Sequence, residues 1–438
     1  MSKVWPIAGT VLSLLVHGSR LGLAQSHPVN ALTHLPALSG AFRVGRTELI
    51  WVDSTRTEPF ESSQSTRRQL VVHVWYPAED SSNDETAEYI PHLAAIAAAI
   101  GDAGMDAEFG SARSAIAAGS IRSQAHSNAR MKRTGRPFPT LVFSPGFGES
   151  SLTYSAQVED LASHGYLVIG IEHPFDTYAV LVGGGRVIPF AKARWDSATA
   201  RPKGAAAYQL AQVPLRAADV RFVLDQLSHP GITVGQTDLV SAVNHQKIGA
   251  FGHSLGGMAI ASACRTDSRI RACMNQDADY EGRPFDGGAA AFPIKQPFLF
   301  FATGNSIYVS PRTAPATDTA LALMKMTRTQ YDSLVWQYQQ NQDAALGEMP
   351  GGAIRIRAEA EDFTHRTFMD LKLLQAPDSI SVAHQGAYLR LIREYVRAFF
   401  DEYLRGMPAQ LLQRQGVVDS VLTIEHFGSQ RKRATVNN

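Results

Sequence analysis

The sequence predicts an α/β fold: a mostly parallel central sheet covered by helices on both faces, with helical insertions. Three observations predict it. Apolar strand runs alternate with helical runs between residues 139 and 275. The run Gly252-His253-Ser254-Leu255-Gly256 stands between a short apolar strand and a helix of small residues. A long amphipathic segment, His384 to Leu404, has the period of a helix laid over a sheet.

The elements follow in order. Thr47 to Asp53 alternates in part, and Gln69 to Pro77 is a stronger β run stopped by its proline. A polar turn separates them. Residues 78 to 137 read as lying outside the regular sheet. Within them Leu93 to Ile100 and Ser111 to Ile121 are Ala-rich and helical, either as packing or as a lid over a substrate entrance. Pro139 to Phe143 is a buried strand, Leu152 to His164 a helix and Tyr166 to Ile171 a strand. Pro214 to Leu227 is a helix with Pro214 in its first turn, where a missing N–H is tolerated. Gln246 to Phe251 is the strand before Ser254, and Leu255 to Cys264 is the helix after it. Arg269 to Asn275, Pro297 to Thr303 and Ala353 to Ala358 are further strands, with a helical excursion over residues 316–345. Val182-Gly183-Gly184-Gly185-Arg186 has apolar runs on both sides and no helix start, so it reads as a hairpin turn and not a phosphate loop.

Residues 1–24 read as a signal peptide. Lys3 gives the positive start, Val4 to Val16 the apolar run, and Gly22-Leu23-Ala24 the cleavage signature. That run is too short to span a bilayer. The expectation is a secreted or periplasmic protein without stable membrane insertion. Residues 25–438 then form a single domain with helical insertions at about 89–130 and 316–345. Lys plus Arg total 41 against 40 for Asp plus Glu, so no field draws nucleic acid. Cys264 and Cys273 fall on neighbouring elements, either as a disulfide or as two buried thiols.

Gly-x-Ser-x-Gly between strand and helix is the nucleophile elbow of the α/β-hydrolase fold. Ser254 is therefore the candidate nucleophile. In this fold the partners follow in the order Ser, acid, His, each at the carboxyl end of a strand. Asp277 leaves the strand 270–275 first, with Asp279 as the fallback. His365 follows the last strand. His245 and His253 precede Ser254, His384 opens the long helix, and His426 lies in the tail. An oxyanion hole requires two N–H donors. The candidates are Leu255, next to the nucleophile, and Phe147 in the loop Ser144-Pro145-Gly146-Phe147-Gly148. No cluster of His, Cys and carboxylates has ligand spacing, so neither metal nor cofactor is expected.

These segments resemble the secreted, lipoprotein-associated type of platelet-activating factor acetylhydrolase and its microbial relatives. Phe143-Ser144-Pro145-Gly146-Phe147-Gly148 resembles that family's Phe-Ser-His-Gly-Leu-Gly, and Gly252-His253-Ser254-Leu255-Gly256-Gly257 its Gly-His-Ser-Phe-Gly-Gly. Asp160-Leu161-Ala162-Ser163-His164-Gly165-Tyr166, Glu172-His173, Asp277-Ala278 and the loop around His365 are similar as well. The resemblance implies a metal-free esterase acting on a small-molecule ester or phospholipid, with short or oxidised acyl chains. Pro145 and Leu255 depart from the family's pattern. His173 reads as a structural residue.

The expected function is thus a secreted serine esterase. Gly256-Gly257-Met258 leaves room beside Ser254 but no long channel, which favours short acyl chains. A cutinase-like or polyester hydrolase is the alternative on the same fold. A non-catalytic binding protein fits less well, because the triad candidates and the oxyanion glycines are all present.

Overall fold

The computed structural model describes residues 35–81, 84–201, 204–278, 293–304, 321 and 326–428. The expected leader and Asp279 lie outside them.

Apolar alternation builds one large sheet. Its strands belong to the series β1 (Arg43–Thr57), β2 (Arg67–Ala78), β3 (Thr86–Glu88), β4 (Arg122–Ser127), β5 (Phe138–Ser144), β6 (Leu167–Glu172), β7 (Ala179–Val182), β8 (Arg186–Pro189), β9 (Thr233–Val234), β10 (Thr237–Asp238), β11 (Val243–His253), β12 (Ile270–Gln276), β13 (Phe298–Thr303), β14 (Ala353–Ala358), β15 (Gly416–Val418) and β16 (Leu422–Phe427). Among the described residues twelve of them run β15-β16-β14-β13-β12-β11-β5-β6-β2-β1-β4-β3. The six from β14 to β6 pair in parallel, and antiparallel strands extend the sheet at both ends. The helices that matter to the site are α1 (Leu93–Phe109), α2 (Ser155–Ser163), α3 (Lys192–Thr199), α4 (Gly204–Gln226), α5 (Leu255–Thr266), α6 (Arg328–Gly347) and α7 (Ser379–Phe400).

Period-two alternation divides the strand residues between two cores. Leu141, Phe143, Met274, Leu299 and Phe301 face the side covered by α7, which supplies Leu389, Ile392, Val396 and Phe399 at helical spacing. Val142, Cys273, Phe298 and Phe300 face the other side, where α4 brings Val220 and Val223 and α5 brings Ile260 and Ala263. Both faces are therefore dry, as a parallel sheet requires.

Three expectations need correction. The segment 78–137 is not outside the sheet: β3 and β4 join it, with β4 parallel to β1 at Gly45↔His126 and Arg46↔Ser127. Its sequence, Arg-Ser-Gln-Ala-His-Ser, has little β propensity. Tertiary bonds hold it instead, Ser123 Oγ and the Gln124 N–H both donating to the Glu159 carboxylate. Within Ser111 to Ile121, only Arg113–Ala117 is α-helical. Pro214 is not in a first turn but inside α4, which begins ten residues earlier. The early half of α4 carries Tyr208, packed 5.6 Å from the Trp195 ring and 6.1 Å from that of Phe147, and this packing outweighs the proline's preference. The glycines 183–185 do close the β7–β8 hairpin. Cys264 and Cys273 are joined as a disulfide between α5 and β12. No described helix is long and apolar enough to cross a membrane.

Candidate active site

β11 runs straight into Ser254, whose backbone takes φ 53° and ψ −127°. A non-glycine residue rarely adopts that conformation, and it lifts the serine out at the head of α5. The turn is this tight because Gly252 and Gly256 pack on each other. A Cβ at Gly252 would lie 2.5 Å from the Gly256 carbonyl carbon, and one at Gly256 would overlap the carbonyl oxygens of Ser144 and Pro145. The Ser254 N–H donates to Gln276 O at 2.9 Å, so the elbow is pinned to the strand end that carries Asp277.

Asp277 is 3% exposed and also sits at positive φ, 52°. Its N–H donates to Phe301 O at 2.8 Å. Its Oδ1 accepts the Thr303 N–H at 3.0 Å, and its Oδ2 faces His365 Nδ1 at 2.7 Å. His365 opens a short 3₁₀ turn, His365–Phe368, capped by Thr364. Phe368 anchors that turn against Phe301 and Phe363 at 5.4 and 5.5 Å. The His365 ring lies 4.5 Å from the ring of His253, the residue before the elbow serine. Burial, and then the neighbouring His365, hold the His253 imidazole well below its usual pKa, and its Nδ1 meets the Tyr154 hydroxyl at 2.7 Å. The structure thus brings His365 to Asp277 and ties both to the elbow.

The loop Ser144–Gly148 lies beside the elbow. The N–H of Leu255, first residue of α5, belongs to the group that has no partner inside its own helix. The Phe147 ring sits in an aromatic wall, 5.0 Å from Trp195 and 5.4 Å from Phe190. Leu255 is buried.

Beneath this loop runs a buried polar chain that sequence reading missed. Arg68 donates to Asp219 from Nε and Nη2 at 2.7 and 2.6 Å and to Glu58 at 2.9 Å. Asp219 faces His173 Nδ1 at 2.8 Å, and His173 Nε2 faces Ser144 Oγ at 2.9 Å. Burial, with Arg216 close by, depresses His173 to about 4. A neutral imidazole donates from one nitrogen only. With Nδ1–H on the carboxylate, Nε2 accepts the Ser144 hydroxyl. His173 is structural, as expected, and it braces the loop. A signal existed: Arg216 and Asp219 are three apart on the face of α4 that buries Val220 and Val223, where two charges need partners.

A second cluster lies on the insertion side. Burial pushes Glu149 up to about 7 and Glu108 of α1 well above the carboxylate range. Each carboxyl interacts with the other, and Arg366 opposes the shift. Among the described residues no group of His, Cys, Asp and Glu is arranged to hold a metal ion.

Comparison with known proteins finds esterases among the similar chains. Residues 28–181 match the family model of platelet-activating factor acetylhydrolase, isoform II. The chain is 28% identical over 299 residues to a probable 1-alkyl-2-acetylglycerophosphocholine esterase of Arthroderma benhamiae, covering 67% of this chain and 70% of that protein. It is 24% identical over 264 residues to a platelet-activating factor acetylhydrolase of Bos taurus. That match covers 56% of this chain and 55% of the relative, so the chain spans about half the bovine protein's length. A ferulic acid esterase structure from Streptomyces cinnamoneus superposes with a TM-score of 0.63 at 26% identity, covering 89% of this chain and 98% of the other. The elbow, the parallel sheet and these matches converge: the chain has an α/β-hydrolase fold similar to platelet-activating factor acetylhydrolases and is a carboxylic-ester hydrolase.

Proposed function

We propose that the protein is an exported serine esterase that releases short acyl chains from small esters, phospholipids among them. The observation that carries this reading is the His365–Asp277 hydrogen bond beside the elbow that presents Ser254. Ser254 Oγ attacks the ester carbonyl while His365 Nε2 takes its proton. Asp277 holds the tautomer with Nδ1–H and stabilises the imidazolium. The N–H groups of Phe147 and Leu255 receive the oxyanion. His365 then protonates the leaving alcohol, and a water molecule repeats the sequence on the acyl-enzyme. The leader at residues 1–24 supports export. No metal or cofactor enters these steps, so activity should survive EDTA.

A fluorophosphonate probe tests the reading. It should modify Ser254, seen as a mass shift on the peptide containing that residue, and abolish turnover one-for-one. Undiminished labelling of Ser254→Ala would sink the assignment. The aromatic wall around Phe147 favours a second reading, a cutinase-like or polyester hydrolase that accepts aryl acyl groups. Activity on polymer films against soluble short-chain esters separates the two.

A further inference from the structure

One side chain grips both carbonyls that precede Phe147. Arg216 of α4 is 1% exposed. Its Nη1 donates to Pro145 O at 2.6 Å and its Nη2 to Gly146 O at 3.0 Å. Its Nε donates to Asp176 Oδ2 at 2.7 Å, and Nη2 lies 2.6 Å from Asp176 Oδ1. That same Oδ1 accepts the Gly148 N–H at 3.1 Å. The arginine therefore fixes the peptide before Phe147, and its counter-ion fixes the peptide after it.

The geometry has a direct chemical effect. A trans peptide is planar, with its C=O and N–H pointing in opposite directions. The Gly146 carbonyl and the Phe147 N–H share one such plane. Anchoring Gly146 O on the guanidinium therefore aims the Phe147 N–H away from α4. A cation on the carbonyl also polarises the peptide and strengthens its N–H as a donor. The glycines at 146 and 148 have no side chains to impose this direction. Lysine could not replace the arginine, because a compact ammonium lacks the planar fork that spans two carbonyls and a carboxylate. A buried ion pair is seldom the most stable way to fill such a space, so stability alone does not account for it.

We infer that Arg216, itself held by Asp176, is a positioning residue that orients and polarises the Phe147 N–H of the oxyanion hole. The inference rests on the reading of Ser254 as nucleophile and Phe147 as donor. Neither Arg216 nor Asp176 touches substrate in this role.

The test uses the full chain with Arg216→Lys, Arg216→Met and Asp176→Asn. Exhaustive fluorophosphonate titration first counts the competent sites, so misfolded molecules drop out of every rate. Per titrated site, Arg216→Lys should lower kcat about 10- to 100-fold, below the roughly hundred- to thousandfold loss of a whole donor. KM should stay within about threefold. Affinity for phenylboronic acid, which forms a tetrahedral adduct on a reactive serine, should fall by a factor similar to kcat. Arg216→Met should be worse and Asp176→Asn milder in the same direction. If the arginine variants do not fold, Asp176→Asn carries the same comparison. Wild-type kcat per site and wild-type boronate affinity in the folded variants overturn the inference, whatever their melting temperatures. If Ser254→Ala keeps wild-type turnover, the nucleophile assignment fails instead. If Ser254→Ala is inert and Arg216→Lys is normal, only the positioning role fails.

Discussion

His365 Nδ1 lies 2.7 Å from Asp277 Oδ2, across 88 residues of chain. β12 and β14 deliver the two residues to the same end of the sheet, with β13 between them. The Thr303 N–H at the end of β13 holds the other carboxylate oxygen.

Asp277→Asn is therefore expected to reduce kcat on the order of ten-thousandfold with little change in fold. The amide would no longer select the tautomer with Nδ1–H. Asp279→Asn should be mild. Steady-state kinetics on a soluble ester check both, and a crippling Asp279→Asn beside a mild Asp277→Asn would reverse the roles.

Acyl preference should peak between acetyl and about butyryl. Buried methylenes discriminate by only about 1–3 kcal/mol each, so the decline with chain length should be graded. The measurement is kcat/KM for p-nitrophenyl esters from acetate to palmitate. A maximum at octanoate or beyond contradicts the short-acyl reading and makes the protein a lipase.

Two buried carboxyls add a pH-dependent term to stability. Glu149 rises from its ordinary 4.5 to about 7, as does Glu172, both through burial. Because the folded state binds these protons more tightly, the associated stability is complete below pH 4.5 and is lost as pH rises through about 7. Buried His173 and His253, held below their usual range, oppose this term over the lower part of the window. The carboxyl contribution is therefore read as a difference: the melting temperature of wild type minus that of Glu149→Gln should fall from pH 4.5 to about 7, and a flat difference would show that Glu149 makes no such contribution.

The disulfide Cys264–Cys273 closes a loop with a sequence separation of nine. Loop entropy for so short a closure predicts about 2–3 kcal/mol of stabilisation. The double variant Cys264→Ala/Cys273→Ala should melt several degrees lower and keep its kcat, measured by calorimetry and ester assay. A kcat loss at full folding would mean that the bond also shapes the elbow.

The sequence displayed the elbow, the parallel strands and the residues at their ends, because local period and turn chemistry fix them. Ser254, Asp277 and His365 each lie beyond a strand that its local residue pattern makes legible. Other features depend on contacts that no local window contains. β4 is polar and becomes a strand only because Glu159 binds its backbone. Pro214 reads as a helix start, yet α4 extends before it because Tyr208 packs on Trp195. Arg68, far from α4 in sequence, meets Asp219 only once the sheet has formed.

The buried chain from Arg68 through Asp219 and His173 to Ser144 has an evolutionary corollary. Losing one member leaves a charge or an imidazole stranded away from water, which is strongly destabilising, whereas exchanging the group together for apolar residues need not be. Drift at positions 68, 173 and 219 should therefore proceed in concert. Related chains are expected to carry the trio intact or to have replaced it wholesale, with single substitutions rare.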